Sequence, residues 1–418
     1  MRRRRATAKW PLVAVCLYAA LIPLQPVFIL PDGSPLRLAA ADLVAPLVFL
    51  AAVLRPRRRI PFAFVALVTA IPLVALVSTV VAAAGRSLSM YAIGKTAGLF
   101  YLAGVALAIV RATDADDVPT VVHALAQGAF WSAVVGLAGF VAWLGGAETS
   151  LVQWGRLCAT MEGDPNIYGS IVGIGILATF ADPAWTRRAR ALRLGVLAVA
   201  LLATGSRSAL VGTTVAFAVG TLVRSRDPFL AAARHAYVGV GIGVAAAALL
   251  ATGVGTGGAA RLWQHHWRDF TVDSRLALYG RALEEFADHP LGGLGIGGFR
   301  DLNRFASGEG VGHFVVHNTY LWAFVDLGIV GGLLVLGLVA AAIWRCVRAA
   351  RGHPPAPSAG VVAAGLVAMA VFNLFIDGFY QRHFWVLVAC AAGMPVYRAV
   401  RRAIRPAWDD AAVAVRVA

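Results

Sequence analysis

Long apolar runs separated by short polar segments dominate the pattern of the chain. About 20 apolar residues in a helix cross the hydrocarbon core of a membrane, and runs of that order recur along the whole sequence. They lie near residues 11–30, 38–54, 61–83, 92–110, 118–143, 165–182, 192–205, 208–223, 236–254, 315–343, 359–376 and 383–397. The pattern predicts an all-α integral membrane protein with about twelve transmembrane helices.

The basic residues between these runs predict the orientation and the division of the chain. Arginines cluster at nearly every second loop, as in Arg2 to Arg5, in segment 55–59 and at Arg187-Arg188. Because cytoplasmic loops are enriched in Lys and Arg, we expect a multi-pass protein of the plasma (inner) membrane with both termini cytoplasmic. The predicted domains are transmembrane helices over 1–254, an outer-face loop over 255–314, further transmembrane helices over 315–405 and a short cytoplasmic tail over 406–418.

Part of the large outer loop has the pattern of a helix, over residues 274–287. Pro290 follows it and stops its continuation. One face of this helix is apolar, carrying Leu278, Tyr279, Ala282 and Phe286, and Arg275 lies in line with Tyr279 on that face. Arg281 lies elsewhere, where it pairs with Glu285 at a spacing of four residues.

Composition agrees with a membrane protein and excludes several other classes. The chain is 59% hydrophobic and 14% charged, whereas soluble domains carry roughly 25% charged residues. The net charge of +16 sits in short clusters between apolar runs, so we predict contact with membrane lipids and no nucleic-acid partner. The sequence 293–298 matches GxGxxG but lacks a surrounding βαβ unit, so its glycines predict close backbone packing rather than a dinucleotide site.

Polar residues collect at the predicted outer ends of several spans, where they are expensive and often functional. The groups are Arg156 with segment 163–169, the turn 206–208, Arg275 in the outer loop and the segment 317–320. The predicted topology brings all four to one face of the bundle. Lys95 and Asp326 lie inside apolar runs, and we expect them to pair within the bundle or to face its cavity.

Short motifs in these groups resemble the O-antigen ligase and O-antigen polymerase superfamily. The most specific match is His317-Asn318, followed after nine residues by Gly328-Ile329-Val330-Gly331. Supporting matches lie at Arg156 with 163–166, at 205–208, and at Ser274-Arg275 with Tyr279 running on to 289–295, although the family more often has Trp at the place of Tyr279. The resemblance covers most of the chain, including the span count and the large outer loop.

The resemblance implies a metal-independent, cofactor-free glycosyltransferase with a GT-C-like fold. Its donor would be a glycan on undecaprenyl diphosphate, and its acceptor a sugar hydroxyl on a glycan or glycolipid. A ligase would use the lipid A core of lipopolysaccharide or another cell-envelope polymer, whereas a polymerase of cell-envelope polysaccharide would use another lipid-linked glycan. The sequence leaves both open, and a polytopic transporter or lipid flippase is the alternative from another class.

The chemistry of the residues agrees with that activity. Arginine binds phosphate through two parallel hydrogen bonds and stays charged, so Arg207 and Arg275 are the predicted diphosphate ligands. His317 is the predicted catalytic residue, taking or orienting the proton of the acceptor hydroxyl. Further candidates for substrate contacts are Arg156, Asn166, Asn318 and Tyr279.

Each candidate also has a structural interpretation. His317 could bond a carbonyl at a helix start, and Asn166 could only cap its helix. Arg156 could anchor to lipid headgroups, Arg207 could extend to lipid phosphates, and Tyr279 could be an interface aromatic.

Overall fold

The computed structural model describes residues 10–29, 35–55, 60–84, 88–161, 164–222, 273–307, 310–352, 355–356 and 358–394. The predicted apolar run near 236–254, the first part of the outer loop (255–272) and the tail 406–418 lie outside the described residues.

Helices make up most of the described structure. They are α1 (Trp10–Leu21), α2 (Ala40–Leu54), α3 (Phe62–Ala82), α4 (Met90–Ala112), α5 (Val118–Leu144), α6 (Pro165–Ala181), α7 (Arg187–Thr204), α8 (Arg207–Leu222), α9 (Asp273–Asp288), α10 (Gly298–Leu302), α11 (Thr319–Ala350), α12 (Ala359–Phe372) and α13 (Arg382–Gly393). Each predicted apolar run in the described residues overlaps one of these helices, although the run near 11–30 is helical only as far as Leu21 and continues into a short strand over Val27–Ile29. The prediction of a helical membrane protein is confirmed to that extent.

Four helical stretches in the described residues are long and apolar enough to cross a membrane: Phe62–Ala82, Met90–Ala112, Ala115–Leu144 and Thr319–Ala350. Helices α1, α2, α6, α8 and α12 are apolar but shorter. Helices α6 and α12 are buried or half-buried along their whole length, which is typical of apolar helices inside a bundle. The total of about twelve spans and the GT-C-like arrangement stay predictions.

Three short antiparallel hairpins occupy the connections between helices. They pair β1 (Val27–Ile29) with β2 (Pro35–Arg37), β3 (Val152–Gln153) with β4 (Arg156–Leu157), and β5 (Arg304–Ser307) with β6 (Gly310–His313). The second hairpin carries Arg156 toward the start of α6 and the end of α7.

Helix α11 is broken at Gly328, which has φ +69° and ψ −175°. The loop after α9 fills this break: the Ile329 amide donates to the Pro290 carbonyl at 2.8 Å, and the Gly295 amide donates to the Asp326 carbonyl at 2.9 Å. A Cβ on Gly293 would lie 2.5 Å from the Gly328 nitrogen. The predicted role of the glycines at 293–298, close backbone packing, is confirmed.

The buried Asp326 carboxylate fixes the same loop from the helix side. Its oxygens accept the Gly297 amide at 2.9 Å, the Phe299 amide at 3.2 Å and the Trp322 indole N–H at 2.9 Å. Asp326 therefore satisfies backbone donors, and it is Lys95 that pairs with a carboxylate, that of Asp377 at 3.8 Å. The loop after α9 and the broken helix form one hydrogen-bonded unit.

Replacing Ser78 with Ala should lower the stability of this unit. The Ser78 hydroxyl on α3 lies within hydrogen-bond reach of the carbonyls of Gly292 and Asp326, the latter at 2.7 Å. We expect a loss of about 1 kcal/mol because a buried acceptor is left without this donor. Thr69→Val is the control, since the Thr69 hydroxyl donates to the carbonyls of Val65 and Ala66 within α3. Equal melting temperatures of the two purified variants would contradict the prediction.

Candidate active site

Arg156 on β4 joins three elements of the chain. Its Nε donates to the Thr204 carbonyl at the end of α7, and a terminal guanidinium nitrogen donates to Asn166 Oδ1 on α6, both at 2.7 Å. The side chain is half-buried. Burial lowers the pKa of Arg156, Asp164 opposes that shift, and the charges of Arg207 and Arg275 lower it further. Arg156 is therefore close enough to both predicted diphosphate ligands to interact with them electrostatically, and its hydrogen bonds are made within the protein.

The turn between α7 and α8 presents Arg207 beside Arg156. Gly205 ends α7 in the left-handed conformation with φ +58°, and a Cβ there would lie 3.2 Å from Arg156 Nε. Ser206 caps α8 by accepting the Ala209 amide at 3.3 Å. Arg207, the first residue of α8, is exposed. The predicted tight turn is confirmed, and its glycine also makes room for Arg156.

The start of α6 supplies a carboxylate and an amide. Asp164 caps the helix, because its Oδ1 accepts the amides of Asn166 and Ile167 at 3.1 Å each. The interpretation of Asn166 as only a helix cap is therefore wrong: its side chain accepts the hydrogen bond from Arg156. The Asp-Pro-Asn sequence at a predicted helix start is typical of a capping aspartate at position 164. The position of Asp164 near the arginines depends on the tertiary structure.

His317 precedes α11 in a strained backbone conformation. Its φ is +50°, a left-handed value that is uncommon for residues other than glycine. Asn318 caps the helix through Oδ1, which accepts the amides of Tyr320 and Leu321 at 3.0 Å. The cap fixes where α11 begins and so sets the position of His317. Local strain of this kind is concentrated at functional sites.

The His317 imidazole is half-buried and makes no hydrogen bond to any residue that the structure describes. Its interpretation as a partner of a carbonyl at the helix start thus finds no support in the described chain. Burial lowers the pKa of His317, Arg275 lowers it further, and Asp164 raises it. The imidazole is therefore neutral near pH 7 and able to accept a proton.

Helix α9 holds Arg275 and Tyr279 against this region. The helix spans the predicted segment, Ala282 is fully buried, and Arg275 and Tyr279 are half-buried on the same side. The Tyr279 hydroxyl lies 3.1 Å from the His317 carbonyl and 3.2 Å from that of Leu374. Tyr279 thus supports the backbone of His317.

The predicted pair of Arg281 with Glu285 is confirmed at 3.9 Å. Arg281 is exposed, in contrast to Arg275 on the same helix. The two arginines differ in exposure, as predicted from their positions on the helix. Arg281 is therefore a suitable control for Arg275.

Together these elements bring the predicted site residues into one electrostatic cluster. Arg156, Arg207 and Arg275 repel one another electrostatically. The charge of Asp164 acts on both Arg156 and His317, and the charge of Arg275 acts on His317. We call Arg156, Asp164, Arg207, Arg275 and His317 the arginine cluster. The N-termini of α6, α8 and α11 border it, and each adds partial positive charge. No group of three metal-ligating side chains occurs in the described residues, and metal independence stays a prediction.

Comparison with known families agrees with the motifs. The family model described as O-antigen ligase matches residues 192–336. The matched segment includes Arg207, Arg275 and His317, whereas Arg156 and Asn166 precede it. A search of curated proteins finds no match to the chain. The predicted resemblance is confirmed over the matched segment: residues 192–336 are similar to the O-antigen ligase family, and the apolar helices are those of a multi-pass membrane protein.

Proposed function

We propose that the chain is a membrane glycosyltransferase that moves a glycan from undecaprenyl diphosphate to a sugar hydroxyl of an acceptor glycan or glycolipid. The reaction takes place at the outer face of the plasma membrane. The family match supports a membrane enzyme of the ligase or polymerase kind. The observation that carries the proposal is the electrostatic interaction of Arg156, Arg207 and Arg275 with one another and of Arg275 with His317.

The arginine cluster has the charge that a diphosphate leaving group needs. Among the residues that the structure describes, three guanidinium groups repel one another there, and the Asp164 carboxylate offsets part of their charge. A folded protein tolerates such an excess of positive charge where an anion binds to it. Because Arg156 and Arg275 are half-buried, their attraction for phosphate oxygens is less screened by water. Arg207, which is exposed, meets the ligand from the solvent side.

His317 is the proposed acceptor of the proton. The hydroxyl oxygen of the acceptor attacks the anomeric carbon of the donor sugar and forms the new C–O bond. The bond from that carbon to the diphosphate oxygen breaks, and its electron pair leaves with the diphosphate. The hydroxyl proton passes to the neutral imidazole of His317, and Asp164 stabilises the imidazolium that results.

The arginines take the role that a metal ion has in many transferases. Donors already oriented toward a leaving group stabilise the charge that develops in the transition state. Arg156 is held in place by Thr204 and Asn166, so its guanidinium needs little reorganisation when the bond breaks. Asn166 therefore contributes by positioning Arg156.

Replacing Arg275 with Ala should lower glycan transfer by about 10²- to 10³-fold, the range for loss of one oriented donor. The measurement is the pool of lipid-linked glycan in the native host, with wild type and variants at matched expression. Arg281→Ala is the control, because Arg281 is exposed and pairs with Glu285.

The chain length of the accumulated glycan separates the two enzyme activities. Long glycans on the lipid carrier in the Arg275→Ala strain identify a ligase, and single repeat units identify a polymerase, the alternative that the family also allows. An unchanged lipid-linked pool with intact surface glycan contradicts the proposal and favours a transporter or flippase.

A further inference from the structure

A second polar cluster lies at the same end of the bundle and has no part in the chemistry above. Lys95 Nζ lies 3.8 Å from Asp377 Oδ2 and 4.0 Å above the ring of Tyr380. The Arg300 guanidinium lies 4.2 Å above the ring of Tyr91. We call Tyr91, Lys95, Arg300, Asp377 and Tyr380 the lysine–tyrosine cluster.

The loop between α12 and α13 connects this cluster to the arginine cluster. Thr319, the first residue of α11, donates its amide to Asn373 at 2.8 Å and its hydroxyl to the Ile376 carbonyl at 2.9 Å. The same loop offers the Leu374 carbonyl to Tyr279. Residues 373–380 therefore lie along the first turn of α11, with His317 before that turn.

One side chain of α11 reaches the second cluster. The Trp322 ring lies 5.6 Å from that of Tyr380, edge to face. Asn318 and Trp322 are separated by roughly 6 Å along the helix axis, at 1.5 Å per residue. A ligand held at Tyr380 would thus be close to His317.

Two atoms of the lysine–tyrosine cluster are buried without a hydrogen-bond partner in the described structure: Asp377 Oδ1 and the Tyr380 hydroxyl. Such groups destabilise a fold, so a structural role does not explain them. The cluster is still reachable from outside, since the side chains of Lys95 and Asp377 are 30% and 23% exposed. These are properties of a preformed binding site.

The charge balance shows which chemistry this site fits. Lys95 and Arg300 are balanced by Asp377 and by Asp301, whose carboxylate lies 3.3 Å from Arg300. The arginine cluster, in contrast, has an excess of positive charge and fits a diphosphate. A neutral polyhydroxylated ligand needs both hydrogen-bond donors and acceptors, here the Lys95 ammonium and the Asp377 carboxylate. It also needs an apolar surface for its C–H groups, here the edge of the Tyr380 ring.

We propose that the lysine–tyrosine cluster binds the sugars of the acceptor glycan and places the reacting hydroxyl at His317. Lys95 and Asp377 form hydrogen bonds with sugar hydroxyls, and Tyr380 offers its hydroxyl and the edge of its ring. This inference rests on the proposed transferase function, since it assigns the second substrate of the same reaction.

Binding by the purified full-length protein tests the assignment with two probes. One is a set of neutral oligosaccharides released from the host surface glycan by mild acid, and the other is inorganic pyrophosphate. Asp377→Asn and the conservative Tyr380→Phe should each weaken oligosaccharide binding about tenfold and leave pyrophosphate binding unchanged. Arg275→Ala should do the reverse.

Three results would overturn the acceptor site. They are no oligosaccharide binding by the wild type, unchanged binding in both variants of the lysine–tyrosine cluster, or equal weakening of both probes. Failure of the transferase function is recognised separately, since it appears as an unchanged lipid-linked pool in the Arg275→Ala host.

Discussion

Glycan transfer by the His317→Ala variant should be about 10²- to 10⁴-fold slower than transfer by the wild type, the usual contribution of a positioned acid–base group. The substitution removes the proposed proton acceptor and leaves the arginine cluster in place. The substitution does not relieve the backbone strain at position 317, because Ala must adopt the same left-handed φ of +50°. Donor binding, measured with pyrophosphate, should therefore be retained.

The pH profile distinguishes a proton acceptor from a residue that only fills space. The pKa of His317 lies below its ordinary value of 6.5, chiefly because of burial. The neutral form acts as base, so the wild-type rate should fall as pH decreases through this lowered pKa. The stability of the fold changes with pH in the same direction. The unfolded chain takes up the proton below about pH 6.5, whereas the folded chain takes it up only at lower pH because its pKa is lowered. The contribution of His317 to stability is therefore lost on the acid side.

His289→Ala is the matched control for both measurements, since His289 is exposed in the loop after α9. Its rate and pH profile should follow those of the wild type. An acid limb that persists in His317→Ala would contradict the proposed role, and would assign the proton to the departing diphosphate instead.

Apolar length is enough to predict most of the helices, and short motifs are enough to select the residues of the proposed site. Arg156, Arg207 and His317 are candidates because each lies at a predicted outer end of a span, and Arg275 is a candidate because it lies on the apolar face of the helix in the outer loop. The structure brings them into one cluster. The helix α9 and its buried face also follow from a spacing of three and four residues, because that spacing is a local property of the chain.

Contacts between distant segments did not follow from the sequence. Asp326 lies in an apolar run, and nothing nearby in the chain indicates that its carboxylate accepts the amides of Gly297 and Phe299. The pairing of Lys95 with Asp377 joins residues from α4 and from the loop before α13. Periodicity reports which face of a helix is apolar but not which loop packs against it. The acceptor cluster proposed above was missed for that reason.

The break in α11 explains why the most specific motif has a glycine at position 328. Substitution of Gly328 has the largest effect on stability that we expect. A Cβ on Gly328 would lie 2.1 Å from the Leu291 carbonyl oxygen and 3.1 Å from the Gly293 nitrogen. The φ of +69° adds a further penalty of roughly 1–2 kcal/mol for any other residue. Because the obstacle is backbone on both sides, a rotamer change cannot relieve it.

Gly328→Ala should therefore destabilise the protein by about 3 kcal/mol or more. Gly337→Ala is the control in the same helix, since a Cβ there meets nothing within 4 Å and Ala favours the helix. The measurement is the melting temperature and folded yield of the detergent-purified variants. Equal values would mean that α11 continues through position 328 and that loop 289–295 does not pack there. A lower value for Gly328→Ala alone would support a direct link between the His317 motif and the loop after α9. In that case the motif glycine serves to dock this loop, while His317 at the other end of the same segment serves the reaction.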